Sequence, residues 1–206
     1  MNLHDLLAAR FPDDRAKPAF LLADGSVISY GAFEDDIART AALLIEHEVE
    51  PGDRIALQSE KSVAAVVVYL ATLKVGAVFL PLNTAYTESE VDYFLDDAEP
   101  VLFVEDAEAF VADARSRAPL TASVPRDDAD LASIIYTSGT TGRSKGVVLS
   151  AGRCIAAARD TVVFDKLTDR DEVLAYLPLA WVGDHYLNYA QALVAGFCMA
   201  CPESAD

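Results

Sequence analysis

The chain has 206 residues, with 33 Asp plus Glu against 16 Lys plus Arg, and so a net charge of −17. Hydrophobic residues make up 52% and charged residues 24%, which excludes an intrinsically disordered chain and supplies enough apolar material for a packed core. The acidic balance argues against nucleic acid as a partner, because phosphate backbones are bound through basic patches.

The opening MNLHDLLAARFPDDR has no basic segment followed by an apolar core and a small-residue cleavage site, so it does not read as a secretory signal. Asn2 is placed to cap a short helix through Arg10. PAFLLA, Asp24-Gly25 and SVIS predict a β-hairpin, since Asp-Gly supplies the positive φ of a tight turn. From Tyr30 to Val49 the apolar positions Phe33, Ile37, Ala41 and Leu44 fall at helical spacing. Pro51-Gly52-Asp53 marks a turn before the strand RIALQS. SVAAVVVYLATL is twelve uncharged residues interrupted by Lys74. That is too short for a transmembrane segment, which needs about 20 apolar residues, and it predicts a buried helix carrying Val66 to Leu73. AVFLPL is the next strand. Thr87 with Glu90 forms a capping box that starts a helix running to about Asp97, and PVLFV is a further strand.

Nine acids and no base occur from Glu88 to Glu108, interleaved with apolar residues, which predicts a solvated helix face. Residues 105–130 read as a surface helix and a linker. Beyond it LASIIYT and VVLS are strands, Ala151 to about Val163 is helical, EVLAYLP is a strand, Asp184 to Val194 a helix and FCMACP a last strand. The alternation predicts an α/β fold with a mostly parallel sheet flanked by helices. His4 and His47 read as surface residues of amphipathic helices. Asp184 and His185 are chain neighbours that do not face each other as an acid–base pair. Cys154, Cys198 and Cys201 are too few and odd in number for a disulfide framework, and the CxxC of Cys198 and Cys201 lies in an apolar run without further ligands, so these read as core cysteines of a cytoplasmic protein.

The segment between LASIIYT and VVLS carries the chemistry. Thr137, Ser138, Gly139, Thr140 and Thr141 are five small residues in a row, four of them hydroxylic, followed by Gly142, Arg143, Ser144, Lys145 and Gly146. The glycines let the backbone turn tightly and present N–H groups, the hydroxyls donate to phosphate oxygens, and Lys145 adds a cation. A phosphate-binding loop after a buried strand follows. It is neither a Walker loop nor a GxGxxG, because Gly139 and Gly142 are too close, Gly146 follows Lys145, and position 141 is Thr.

YTSGTTGRSKG closely resembles the phosphate loop of the adenylate-forming (AMP-binding) enzymes, which include acyl-CoA synthetases, luciferases and peptide-synthetase adenylation domains. LATLKVGAVFLPLNTAYTESEVDYFLDDAEPVLFV resembles an earlier block of that family, and LPLAWVGDHY a later one that supplies an acyl-pocket residue. The region up to about Pro100 looks most like malonyl-CoA-type synthetases, and Val147 to Ser204 more like the long-chain fatty acid group. The resemblance implies the N-terminal portion of the large domain of a magnesium-dependent ligase. In that reaction a small-molecule carboxylic acid attacks ATP, giving acyl-AMP and pyrophosphate, and coenzyme A then takes the acyl group. It implies that Thr137, Ser138, Gly139, Thr140, Thr141 and Gly142 cradle the triphosphate with Lys145 in support, and that Thr137 helps hold Mg²⁺. Trp181 then sits at the pocket position, the alternative for it being a core aromatic.

Family members are well over twice this length. The resemblance therefore implies that residues 1–206 are an incomplete N-terminal AMP-binding domain: 1–104 a first α/β part, 105–130 a linker, and 131–206 the phosphate-loop part. The mobile C-terminal domain with its catalytic Lys would lie outside it, in a separately encoded portion if the ligase is split. Such a chain would not complete catalysis alone, and an apolar last strand would be left without its neighbours. A non-catalytic remnant or interaction module keeping the fold, and an unrelated phosphate-binding domain, are the alternatives.

Overall fold

The computed structural model describes residues 2–137 and 143–201, the side chains of 186–188 and 201 excepted. The elements run α1 (Leu3–Ala8), β1 (Pro18–Leu22), β2 (Val27–Ser29), α2 (Tyr30–Glu46), β3 (Arg54–Leu57), α3 (Val63–Lys74), β4 (Val78–Pro81), α4 (Glu88–Ala98), β5 (Leu102–Val104), α5 (Ala107–Ala114), β6 (Leu131–Thr137), β7 (Lys145–Ser150), α6 (Ala151–Asp165), β8 (Glu172–Leu174), α7 (Val182–Asp184), a π-helical stretch (His185–Ala190), α8 (Gln191–Ala195) and β9 (Cys198–Cys201).

The strands form two sheets, where the alternation of the sequence predicts one layer. The five-stranded sheet has the order β5-β3-β4-β6-β7 and is parallel except for β7, which returns beside β6 as a hairpin. The four-stranded sheet has the order β2-β1-β9-β8. In it the β1–β2 hairpin turns on Gly25 at φ +83, as Asp-Gly predicts. The last strand, β9, is paired on both sides, by β1 and β8, so it is not the bare edge expected of it.

Between the sheets the helices follow their apolar patterns. Ser62 caps α3, and every residue from Ala64 to Lys74 is buried, the signature of a helix apolar all round and surrounded by protein. Phe33, Ile37, Ala41 and Leu44 of α2 are fully buried, and Phe33 meets Phe20 of β1 edge-on with centroids 4.9 Å apart. Residues of both sheets and of α1, α2, α3, α5, α6 and α8 belong to this main core. The opposite face of the five-stranded sheet, with Ala56, Leu80 and Tyr136, is covered by Val91, Phe94 and Ala98 of α4.

One expectation changes at the N-terminal helix. His4 is buried at 3% exposure instead of lying on the surface. Helix α1 is only two turns long and is held against α3 by Asn2, whose carbonyl oxygen accepts from the His4 amide at 2.8 Å and whose amide nitrogen donates to the carbonyls of Leu73 and Val124, both at 2.8 Å. Residues 115–130 carry no regular element, yet their backbone is tied to the core: Leu120 N–H donates to Ala38 and Val124 N–H to Lys74, both at 2.9 Å. His47, by contrast, is exposed as expected.

Candidate functional site

Because β3 pairs in parallel with β4 and β5, and β4 with β6, the carboxyl ends of these four strands meet one edge of the sheet. Ligands of open α/β sheets bind at such an edge. The hydroxyl-rich segment leaves β6 there. Thr137 closes β6 and faces Lys145, the first residue of β7, and both side chains are exposed. The predicted cradle residues Ser138, Gly139, Thr140, Thr141 and Gly142 lie outside the described residues. The described residues thus define the stem on either side of that segment, the paired extended strands β6 and β7.

That stem is braced by α4. The capping box predicted at Thr87 and Glu90 is present and starts this helix. Its Tyr93 hydroxyl donates to the carbonyl of Ser144 at 3.0 Å, and the Arg143 guanidinium lies over the Tyr93 ring, 5.5 Å from the centroid. Phe94 packs on the ring of Tyr136 with centroids 4.3 Å apart, and the Tyr136 hydroxyl donates to Asp97 Oδ2 at 2.5 Å. Burial, and then the neighbouring Asp97, push the Tyr136 phenol well above its ordinary range, so it stays a donor. The acids of α4 are exposed, as the sequence predicts, and one of them, Asp97, also accepts from Tyr136. Gly146, opposite Tyr136, is required by crowding: a Cβ there would lie 2.9 Å from Ile134 Cγ2 and 3.5 Å from Tyr136 Cζ.

The other block to which the sequence draws attention follows β8, which is only three residues long. Trp181 is 55% exposed at the start of α7, so it is not the core aromatic that was its alternative. Asp184 and His185 do not pair with each other. Asp184 is fully buried and forms an ion pair with Lys61, from the loop after β3, whose ammonium also donates to the Leu177 carbonyl at 2.7 Å and lies 5.1 Å from the Tyr189 ring centroid. His185 is buried against Tyr69 and Phe79 and places Nε2 2.7 Å from the Leu179 carbonyl, which makes Nε2 the protonated nitrogen. Burial is the main cause that lowers its pKa to about 4. Lys61 thereby fixes residues 177–185 to the same sheet edge. Nothing local in the sequence points to this pair, whose members are 123 positions apart.

A separate cleft of about 490 Å³ opens between the β1–β2 turn and the start of α3, lined by Leu22, Ile28, Val63 and Val67 with Lys61 and Arg115 at its polar side. None of the sequence-predicted site residues lines it. As for a metal, no group of three or more His, Cys, Asp or Glu gathers among the described residues. Thr137 offers one exposed hydroxyl. That donor set fits Mg²⁺ only as an ion carried in by phosphates and touched by the protein at one or two oxygens, which is its usual habit at nucleotide sites.

A mostly parallel sheet flanked by helices, with β6 and β7 braced by α4 at its carboxyl edge, is an α/β arrangement whose ligands bind at that edge. The chain belongs to the family described as AMP-binding enzyme, whose model matches residues 7–206. It is 27% identical over 227 residues to the probable CoA ligase CCL9 of Humulus lupulus, covering 95% of this chain and 42% of that protein. It is 31% identical over 215 residues to novobiocin biosynthesis protein H of Streptomyces niveus, covering 91% of this chain and 36% of that one. Among solved structures, ATP-bound MatB from Rhodopseudomonas palustris superposes with a TM-score of 0.89 at 35% identity, covering 97% of this chain and 44% of its own. The chain spans less than half the length of these relatives.

Proposed function

We propose that this chain is the triphosphate-gripping N-terminal portion of an ATP-dependent acyl-CoA ligase. The observation that carries the reading is the pairing of Thr137 with Lys145, both exposed, at the carboxyl edge of the parallel sheet. In the proposed reaction a carboxylate oxygen attacks the α-phosphorus of ATP. The new acyl–phosphate bond forms as the α–β anhydride breaks and pyrophosphate leaves. The thiol of coenzyme A then attacks the acyl carbonyl, and AMP departs. The role of this chain is to hold the leaving pyrophosphate. The hydroxyls of Thr137, Ser138, Thr140 and Thr141 and the loop amides donate to its oxygens, while Lys145 offsets charge that grows as the anhydride breaks. When bound, Mg²⁺ supplies charge neutralisation of the same oxygens, with Thr137 as its protein contact. Trp181, exposed beside the buried Lys61–Asp184 pair, is assigned to the acid pocket.

The division into a first α/β part (1–104), a connecting stretch (105–130) and a phosphate-loop part (131–206) belongs to the same proposal, as does the absence of turnover without a C-terminal portion. The free thiol of Cys198 suits a reducing, cytoplasmic setting.

Magnitudes set the expected affinity. A neutral hydrogen bond contributes about 1 kcal/mol net and one to a charged group about 1.5–3. A millimolar complex needs about 4 kcal/mol and a micromolar one about 8, before the cost of ordering is met. The chain alone should bind Mg·ATP in the millimolar range. A calorimetric or spectroscopic titration of the chain against its Thr140→Ala, Lys145→Ala double variant tests this. The double variant is expected to lose most of the binding, and equal binding by both proteins removes the loop from the functional account. Sustained pyrophosphate release by the chain alone would overturn its assignment as an incomplete ligase.

A further inference from the structure

We propose that α4 is the positioning element of the phosphate loop, acting through Tyr93 and Asp97, which fix the two strands of the loop stem separately. The inference deepens the triphosphate-grip reading and rests on it. Tyr93 holds the returning strand, through its hydrogen bond to the Ser144 carbonyl at 3.0 Å and through the Arg143 guanidinium 5.5 Å above its ring. Asp97 holds the outgoing strand, through the Tyr136 hydroxyl at 2.5 Å. The two anchors lean on each other: the Tyr93 and Tyr136 rings meet edge-on with centroids 6.3 Å apart, and Phe94 fills the space between helix and strand. Tyr93 and Asp97 are one helical turn apart, so a single face of α4 reaches both strands.

The physical consequence concerns entropy. Ordering backbone for a ligand costs about 1–2 kcal/mol per residue. Fixing Tyr136 and Ser144, which flank the loop, prepays the part that belongs to the stem. Neither Tyr93 nor Asp97 needs to touch nucleotide to affect its binding. Both are positioning residues, and Asp97 acts through the hydroxyl of Tyr136.

The test uses the full chain and Mg·ATP, followed by amide chemical shifts, with thermal unfolding measured in parallel. Tyr93→Phe keeps the ring under Arg143 and loses only the hydrogen bond to Ser144. Asp97→Ala removes the acceptor for Tyr136, and Asp97→Asn restores a neutral one. Tyr93→Phe and Asp97→Ala should each weaken Mg·ATP binding about three- to tenfold, the worth of one net hydrogen bond, with the wild-type unfolding midpoint retained in Tyr93→Phe. Asp97→Asn should recover most of the loss. Wild-type affinity in both Tyr93→Phe and Asp97→Ala overturns the positioning role while leaving the grip intact. Loss of affinity only in step with a lowered unfolding midpoint, unrepaired by Asp97→Asn, also overturns it, since that is the behaviour of a merely structural contact. Absence of Mg·ATP binding by the wild-type chain overturns the grip reading itself.

Discussion

Lys61 and Asp184, 123 positions apart in the chain, form an ion pair in which Asp184 is fully buried and the Lys61 side chain is 13% exposed. The pair joins the loop after β3 to the end of α7, and Lys61 adds a hydrogen bond to the Leu177 carbonyl. Removing one partner of a buried pair strands the other charge in a low-dielectric setting, at about 3–5 kcal/mol. Lys61→Met and Asp184→Leu should each destabilise by that order in denaturant unfolding, and the double variant by clearly less than the sum. Additive losses would show that the two residues act independently.

Two buried histidines make stability depend on pH. His4 and His185 are each lowered from 6.5 to about 4, chiefly by burial, with the charges of Lys74 and Lys61 respectively contributing. Below pH 6.5 the unfolded chain takes up protons that the folded one refuses, so stability is full above that value and falls as pH drops toward 4. The ceiling is about 3 kcal/mol for each group. The high negative charge of the chain works in the opposite direction on acidification, so the informative quantity is a difference. Unfolding free energy measured from pH 7.5 to 5 should fall less steeply in His4→Gln, His185→Gln than in the wild type. Parallel curves would remove these histidines from the pH dependence.

Gly146 tests the packing of the loop stem. Its φ is unexceptional, and the constraint is the 2.9 Å approach of a Cβ to Ile134 Cγ2. Overpacking of this kind costs about 1–3 kcal/mol, so Gly146→Ala should lower the unfolding free energy by that order and broaden the Tyr136 ring signals. Gly25→Ala, destabilised by its φ of +83 with nothing within 4 Å, should leave Tyr136 unchanged. A Tyr136 environment unaltered in Gly146→Ala would contradict the close packing.

Exposed apolar side chains lie at the end of α6 and on β7. Val163 is 77% and Phe164 85% exposed at the end of α6, and Val147 and Val148 are exposed on the edge strand β7. Uncovered surface of this kind promotes self-association. Val163→Ser, Phe164→Ser should reduce concentration-dependent sedimentation without lowering the unfolding midpoint. Identical sedimentation would exclude this patch as the cause.

Local chemistry made much of this fold readable. The Asp24-Gly25 turn, the Phe33-Ile37-Ala41-Leu44 stripe and the Thr87/Glu90 box each state their structure within a few residues. The loop stem was legible for the same reason, since its composition is local. What stayed hidden depends on distant partners. The burial of His4 follows from Asn2 reaching Leu73 and Val124. The second sheet exists because β9 inserts between β1 and β8. The helix predicted from Asp184 to Val194 forms, but with a π-helical stretch at His185–Ala190 that no periodicity announces. Asp97 is a surface acid as its composition suggests, but its bond to Tyr136, 39 positions away, is not legible locally.

The central claim, that the Thr137–Lys145 loop grips the triphosphate tail, is tested most directly by titrating the chain with Mg·ATP and with AMP under identical conditions. AMP keeps the base, ribose and α-phosphate and lacks only the two phosphates assigned to the loop. The account predicts measurable Mg·ATP binding, with shifts concentrated at Thr137, Ser144, Lys145 and Gly146, and at least about tenfold weaker binding of AMP, from the loss of one or two charge-assisted hydrogen bonds. Equal affinity for the two nucleotides, or shifts confined to residues away from the loop, would contradict it.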